Sequence, residues 1–315
     1  DLVLRLTSVL AGILSIGAMY FVGKEKDEKT GLMCAGLTSI SAFLIYYSQE
    51  VRFYSILFFF SAMALLFTIR CLKSPSRKNL IWFTVSSFLI LFTHTIGFVF
   101  VFFNLLFLSI ALFNKFKKQI IILWSTICVC GIALCPLILK IFGTQSFSQW
   151  WGHFSVSKIG FLLTDYFSPV ITNLTNAPDN FFYAPQNLIF MLVPVGIAVY
   201  GIYLACRKDK NSLLLFSIAL GFLIVLFGAS IAGKLVFTTK YSMECYPILI
   251  YLACYGISAI ENDVLKKTLI GIFCLINLGY VAFAPYSAPK MHRAEGNKIP
   301  MDILKQFDLK QGDTI

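Results

Sequence analysis

Long uncharged apolar runs alternate along this chain with short polar breaks. Ten stretches are close to the roughly 20 residues a helix needs to cross hydrocarbon: 6–22, 31–47, 53–70, 80–96, 97–113, 119–142, 187–206, 212–231, 241–260 and 268–284. Read as one helix, 80–113 would span roughly 50 Å at about 1.5 Å per residue, too long for a single crossing. It must turn, and His94-Thr95-Ile96-Gly97 is the only polar, glycine-bearing place to do so. The pattern predicts an all-α, polytopic transmembrane bundle of about ten helices. No internal repeat of convincing period is present, which weakens a transporter built from inverted repeats.

Composition supports the class. Of 315 residues, 58% are hydrophobic and 13% charged, and the mean hydropathy is +0.80. A soluble domain carries roughly 25% charged residues, and no soluble core of this size hides so much apolar surface. The nine cysteines mostly sit inside apolar runs, Cys128-x-Cys130 is their only close pair, and neither metal spacing nor a disulfide framework is implied. No Walker or dinucleotide glycine pattern appears.

The net charge of +11 falls in alternate loops. Lys24, Lys26 and Lys29 share one set with Lys73, Arg77, Lys78, Lys115, Lys117, Lys118, Arg207, Lys208, Lys210, Lys266 and Lys267. The other set holds Arg52, Lys140, Lys158, Lys234 and Lys240. Positive-inside asymmetry places the first set in the cytoplasm. The charge is then a topology and lipid-headgroup signal and calls for no nucleic acid. A multi-pass integral protein of the plasma (inner) membrane is expected. Glu50, Arg52, His94, Lys240, the 143–186 loop and the tail beyond 285 would be extracytoplasmic, where neither ATP nor nucleotide sugars are at hand. Residues 1–285 form the expected membrane domain, and 286–315 the start of an extracytoplasmic C-terminal region. The first residue is Asp1 rather than Met, and the last residues read as a turn entering a strand; both ends are expected to be cut. The 143–186 loop is rich in aromatics, Trp150, Trp151, Tyr166 and Phe167 among them, and is expected at the membrane interface. Asn173-Leu174-Thr175 matches a glycosylation sequon.

Chemistry concentrates at Tyr46-Tyr47-Ser48-Gln49-Glu50-Val51-Arg52-Phe53-Tyr54, a polar corner between two uncharged runs. Ionisable groups beside hydrocarbon are costly unless paired or used. Arg52 suits a phosphate, because its planar fork matches phosphate oxygens; a plain interfacial ion pair with Glu50 is the alternative. Tyr46, Tyr47 and Tyr54 read as site residues or as an aromatic belt. His94 reads as a phosphate partner in either tautomer or as a structural histidine. Lys240 is a third cation or a snorkelling lysine, and Glu244 is expected to pair with it at i, i+4. His153, Lys158 and Asp165 receive no role. Arg52, His94 and Lys240 would thus offer three donors to a lipid phosphate, with the Glu50 carboxylate placed for acid–base or ion-binding work.

These residues also carry a family resemblance. Leu4-Arg5-Leu6-Thr7-Ser8-Val9-Leu10-Ala11-Gly12 resembles the "LRLPS-L-G" element that opens a membrane helix. The corner resembles "YYSQEARMY", Thr93-His94-Thr95-Ile96-Gly97 resembles "THYFG", and Thr239-Lys240-Tyr241 is similar to the "RY" that opens a late helix. The family is that of GT-C fold membrane glycosyltransferases of the family 39 type, similar to dolichyl-phosphate-mannose protein mannosyltransferases and aminoarabinose transferases. The resemblance implies inverting transfer of a sugar from a polyprenyl-phosphate donor to a protein, lipid or polysaccharide acceptor. It places Glu50 at the catalytic corner, Arg52, His94 and Lys240 at the lipid phosphate, and Gln49, Tyr54 and Tyr241 in the substrate pocket. It fixes no cofactor and leaves a divalent cation open. Thr7 stands where the family has Pro, and Lys240 where Arg is common. The family's catalytic acid precedes the Arg5 region, so this chain is expected to lack it and to be inactive alone. A lipid-linked-sugar flippase and a non-catalytic membrane scaffold are the other classes; few mid-depth charges speak against the first.

Overall fold

The computed structural model describes residues 2–143, 157–168, 185–232 and 239–283. Among these residues the regular structure is helical, without strands. The helices are α1 (Leu2–Lys24), α2 (Glu28–Ile40), α3 (Ala42–Gln49), α4 (Tyr54–Lys73), α5 (Arg77–Thr93), α6 (Gly97–Gly143), α7 (Ser157–Phe167), α8 (Pro185–Lys208), α9 (Lys210–Ile231), a 3-10 helix (Thr239–Cys245), α10 (Tyr246–Ser258) and α11 (Asp263–Phe283). Every predicted stretch overlaps a helix. Among the described residues five segments are long and apolar enough to cross a membrane, within α1, α4, α6, α8 and α9, and the bent pair α2–α3 makes a sixth. The protein is an all-α, multi-pass membrane bundle.

Two of the ten expected crossings, 31–47 and 241–260, take a different form, whereas 97–113 and 119–142 are the two arms of one helical hairpin. The 31–47 run is not one rod. Ser41 leaves helical geometry at ψ 113 and caps α3 by accepting from the Leu44 N–H at 3.3 Å, and α2 and α3 meet at 56°. The 97–142 region is continuous helix except at Phe116 (φ −130, ψ 34). There the chain reverses: Trp124 Nε1 donates to Ser109 Oγ at 2.9 Å, and a Cβ on Gly131 would touch the Phe98 ring at 3.0 Å. The basic run Lys115–Lys118 is the tip of this helical hairpin. Finally, 241–260 splits into the 3-10 helix and α10, whose 13 residues reach only about 20 Å, short of the roughly 30 Å hydrocarbon.

Protein surrounds α10 and relieves it of matching the bilayer. Ile248, Ile250 and Leu252 are all fully buried; a helix apolar on every face belongs inside a bundle. It packs on α1, α2, α4, α8 and α9. The tightest approach is to α8, where a Cβ on Gly256 would sit 1.8 Å from the Gly201 carbonyl oxygen, so only glycine lets the backbones touch.

The 143–186 loop is described only in part. In α7, Tyr166 and Phe167 are 1% exposed, and the Tyr166 ring stacks on Tyr246 at 4.2 Å. These two aromatics are core residues rather than the interfacial residues expected, because the Tyr166 hydroxyl finds a buried acceptor, the Ser242 carbonyl at 2.6 Å. His153, Trp150, Trp151, the 173–175 sequon and the 286–315 tail lie outside the described residues.

Charge divides the bundle into two ends. At one, the α1–α2 turn, the ends of α4 and α8 and the start of α11 gather basic residues around the C-terminus of α10. Lys26 Nζ donates to the Tyr255 carbonyl (3.0 Å) and to Ser258 Oγ (2.5 Å), Lys208 to the Ala259 carbonyl (2.8 Å) and Lys266 to the Ile260 carbonyl (3.0 Å). The Tyr255 carbonyl also accepts from the Ala259 N–H at 3.2 Å as the last turn closes, and carbonyls at this end carry the negative end of the helix dipole. The polar corner lies at the other end.

Candidate functional site

Four elements meet at that corner: the end of α3, the start of α4, the end of α5 and the 3-10 helix. Glu50 ends α3 in extended geometry (φ −80, ψ 142), and the chain turns back into α4 within a few residues. Helix α1 pins the turn, since Ser8 Oγ donates to the Arg52 carbonyl at 3.1 Å. Ser8 lies in the stretch 4–12, which carries part of the sequence resemblance. The same stretch contributes Gly12, where a Cβ would lie 2.9 Å from Ser48 Cβ.

Glu50 is held by its own helix. The Tyr46 hydroxyl donates to Oε1 at 2.8 Å. Oε2 is buried, has no hydrogen-bond partner among the described residues, and faces the Arg52 Nε at 3.8 Å. The Arg52 side chain remains 53% exposed. Burial works against its charge, but Glu50 and the neighbouring Tyr54 hydroxyl outweigh that and hold its pKa above the ordinary arginine value. Tyr47 and Tyr54 do not form a membrane belt. They are 4% and 3% exposed and pack edge to face at 5.0 Å, with Tyr47 continuing through Phe43 to Tyr246. Their bulk fixes the corner from beneath.

His94 ends α5 in extended geometry (φ −151, ψ 128). Its ring packs against those of Phe53 (5.2 Å, 31°) and Tyr241 (5.9 Å, 24°). Gly97 then starts α6, where a Cβ would lie 2.5 Å from Ile90 Cγ2, so the short turn excludes a larger residue.

The 3-10 helix brings the third basic residue. Thr239 Oγ1 donates to Asp165 at 2.5 Å, anchoring its start to α7. Lys240 Nζ lies 5.5 Å from the Tyr241 ring centroid. Burial and then the like charge of Arg52 lower the Lys240 pKa, against the pull of Glu50. Lys240 is therefore close enough to Arg52 and Glu50 for their charges to act on it.

Glu244 corrects an expectation. It does not pair with Lys240 but with His94, whose Nδ1 lies 3.0 Å from Oε1. The i, i+4 pairing presumes an α-helix; in a 3-10 helix, with three residues per turn, positions four apart point about a third of a turn away from each other. Glu244 is fully buried, and its Oε2 has no described hydrogen-bond partner.

Of the residues singled out from the sequence, Glu50, Arg52, His94, Lys240 and Tyr241 lie together. Tyr54 joins them through its hydroxyl rather than as an open wall, and Gln49 is exposed. Glu244, Asp165 and Ser8 were missed as site-building residues. Glu244 did carry a signal, as a carboxylate in a membrane-length apolar run. Just behind the corner lies a cavity of about 130 Å³ whose lining includes Ser15, Thr38, Ser48 and Ser55. Each of these four hydroxyls donates to a backbone carbonyl. Among the described residues no three His, Cys, Asp or Glu side chains converge as metal ligands would.

No protein-family model and no curated protein matches the chain. Among solved structures it is similar to ArnT from Cupriavidus metallidurans in the apo state, at 16% identity and a TM-score of 0.50. The likeness covers 85% of this chain and 48% of ArnT, so the chain spans about half the length of that relative. At this identity the similarity speaks for the fold: a membrane helical bundle of the GT-C type represented by ArnT.

Proposed function

We propose that this chain is the membrane portion of a glycosyltransferase that takes a sugar from a polyprenyl-phosphate donor and passes it to an acceptor on the extracytoplasmic side, with inversion. The observation that carries the reading is the grouping of Arg52, Lys240 and His94 around Glu50 at one end of an ArnT-like bundle. Burial and then the like charge of Arg52 lower the Lys240 pKa, and an anion beside the two cations relieves both costs. Negative charge builds on the phosphate as its bond to the sugar breaks, and preorganised donors there act most strongly on the transition state. Glu50 would face the sugar or the acceptor hydroxyl, with Gln49 and Tyr241 beside it. A protein, a lipid and a polysaccharide all remain candidate acceptors. The aminoarabinose-transferase and protein-mannosyltransferase resemblance of the sequence supports the same chemistry.

The test is transfer from a polyprenyl-phosphate sugar in nanodiscs, using the full-length protein, with and without chelator. Transfer that is lost in Arg52→Ala and in Lys240→Ala, with folding intact by size-exclusion chromatography, is the expected result. Normal transfer in both variants would remove the corner from the active site.

A further inference from the structure

Glu244 is the least explained charge in the bundle. It is fully buried, and His94 is the one hydrogen-bonding partner of its carboxylate among the described residues, on Oε1 alone. Burying an ionised carboxylate on a single contact is expensive. The pair is cheapest when its net charge is zero and no buried proton lacks an acceptor. A carboxylic acid with its proton on Oε2 fails the second condition, because no described residue meets that oxygen, which leaves two arrangements. In one, an imidazolium faces a carboxylate. In the other, a carboxylic acid donates to the bare Nδ1 of a neutral ring. The proton between Nδ1 and Oε1 has moved from one atom to the other, but Nε2 carries a proton in both. The remaining arrangements bury a net charge. In one, a neutral ring donates Nδ1–H to a carboxylate whose buried charge only that hydrogen bond supports; the other puts an imidazolium beside a carboxylic acid and adds a cation near Arg52 and Lys240.

The ring cannot readily turn away. The Phe53 and Tyr241 rings pack against it, with centroids 5.2 and 5.9 Å away, and Glu244 holds Nδ1 at 3.0 Å. The His94 side chain is 11% exposed, and no described residue bonds Nε2.

We propose that Glu244 is a positioning residue that makes His94 a fixed hydrogen-bond donor, its Nε2–H presented to an anionic oxygen at the corner. This rests on the reading above, in which that oxygen belongs to the donor's phosphate, and it assigns His94 one state where the sequence left both tautomers open. The pair gives up no proton in this role. Arg52 and Lys240 supply net charge, whereas the His94–Glu244 pair supplies a directed donor with none. Arg52, Lys240, Glu50, Tyr54 and Tyr241 are the titratable groups around it.

Two measurements test the proposal. The chain has three histidines, so ¹⁵N-histidine spectra of the protein in nanodiscs, assigned with His94→Gln, report the state of each ring nitrogen. At pH 7.5 His94 Nε2 should resonate as an N–H nitrogen, and an unprotonated Nε2 would overturn the proposal. In the second, binding of a short-chain polyprenyl phosphate is compared between wild type, Glu244→Gln and Glu244→Asp, each checked for folding by size exclusion. Glu244→Gln keeps the shape but removes the charge balance; it should weaken binding about tenfold, with partial recovery in Glu244→Asp. Binding within twofold of wild type in Glu244→Gln would reduce Glu244 to packing. If wild type itself binds no polyprenyl phosphate, the donor assignment falls, while the ¹⁵N spectrum repeated in Glu244→Gln still decides whether Glu244 sets the state of His94: an unchanged His94 signal there would overturn that role.

Discussion

The two ends of the bundle use the same residue type differently. At the C-terminal end of α10, Lys26, Lys208 and Lys266 each reach a backbone carbonyl. At the other end, Lys240 shares its surroundings with Arg52. Both Lys26 and Lys240 have lowered pKa values, and in both burial is the largest cause. The order of the next causes separates them: for Lys26 the support of Asp27 comes ahead of the opposition of Lys208 and Lys266, whereas for Lys240 the opposition of Arg52 comes ahead of the support of Glu50. One end sets its lysines on backbone carbonyls, and the other brings Lys240 and Arg52 beside a buried carboxylate oxygen that has no hydrogen bond among the described residues. A count of lysines per loop reads topology and is blind to this difference.

The sharpest way to break the comparison is to remove one cation from each end. Arg52→Ala should lower transfer by about 10²–10³-fold, by analogy with the loss of one oxyanion donor. Arg52→Lys should lose less, since it keeps the charge but not the fork. If Arg52 only closes an ion pair with Glu50, alanine should cost about 0–1 kcal/mol of stability and leave turnover near normal. Lys208→Ala should do the reverse, with turnover unchanged and stability lower by about 0.3–1 kcal/mol, the usual worth of a cation at a helix C-terminus. Thermal unfolding in detergent measures this, and a turnover loss in Lys208→Ala matching that of Arg52→Ala would erase the distinction.

The smallest expected effect is on pH dependence. Lys240 must be protonated to attract phosphate, and its pKa lies below the ordinary 10.5. Donor affinity should therefore fall as pH rises through that lowered value, before an ordinary lysine would titrate. Lys240→Arg should remove the fall, because arginine keeps its proton over the whole range. Donor KM between pH 7 and 10 is the readout. Identical profiles for both proteins would take Lys240 away from the phosphate.

Much of the fold is legible from hydropathy alone, because lipid imposes a length and a composition on each crossing. The exceptions share one cause. Where protein replaces lipid as the surroundings, as around α10 or at the Ser41 break, the length rule no longer applies. The corner was legible because Glu50 and Arg52 interrupt uncharged runs. The His94–Glu244 pair was not, because it joins residues 150 apart in sequence and depends on a 3-10 turn that the apolar pattern conceals. Asp165 was hidden in the same way, since its partner Thr239 lies 74 residues further along the chain.

The short, enclosed α10 also bears on how the protein is made. The helices that wall it, α1, α2, α4, α8 and α9, all precede it in the chain. They are synthesised first, before the helix that they enclose in the finished fold. Until α10 arrives those helices cannot complete the core of the bundle, so its arrival closes a packed interior rather than adding a further span. The bare backbone at Gly201 then offers the newcomer a surface that lipid chains wet less closely than Gly256 can.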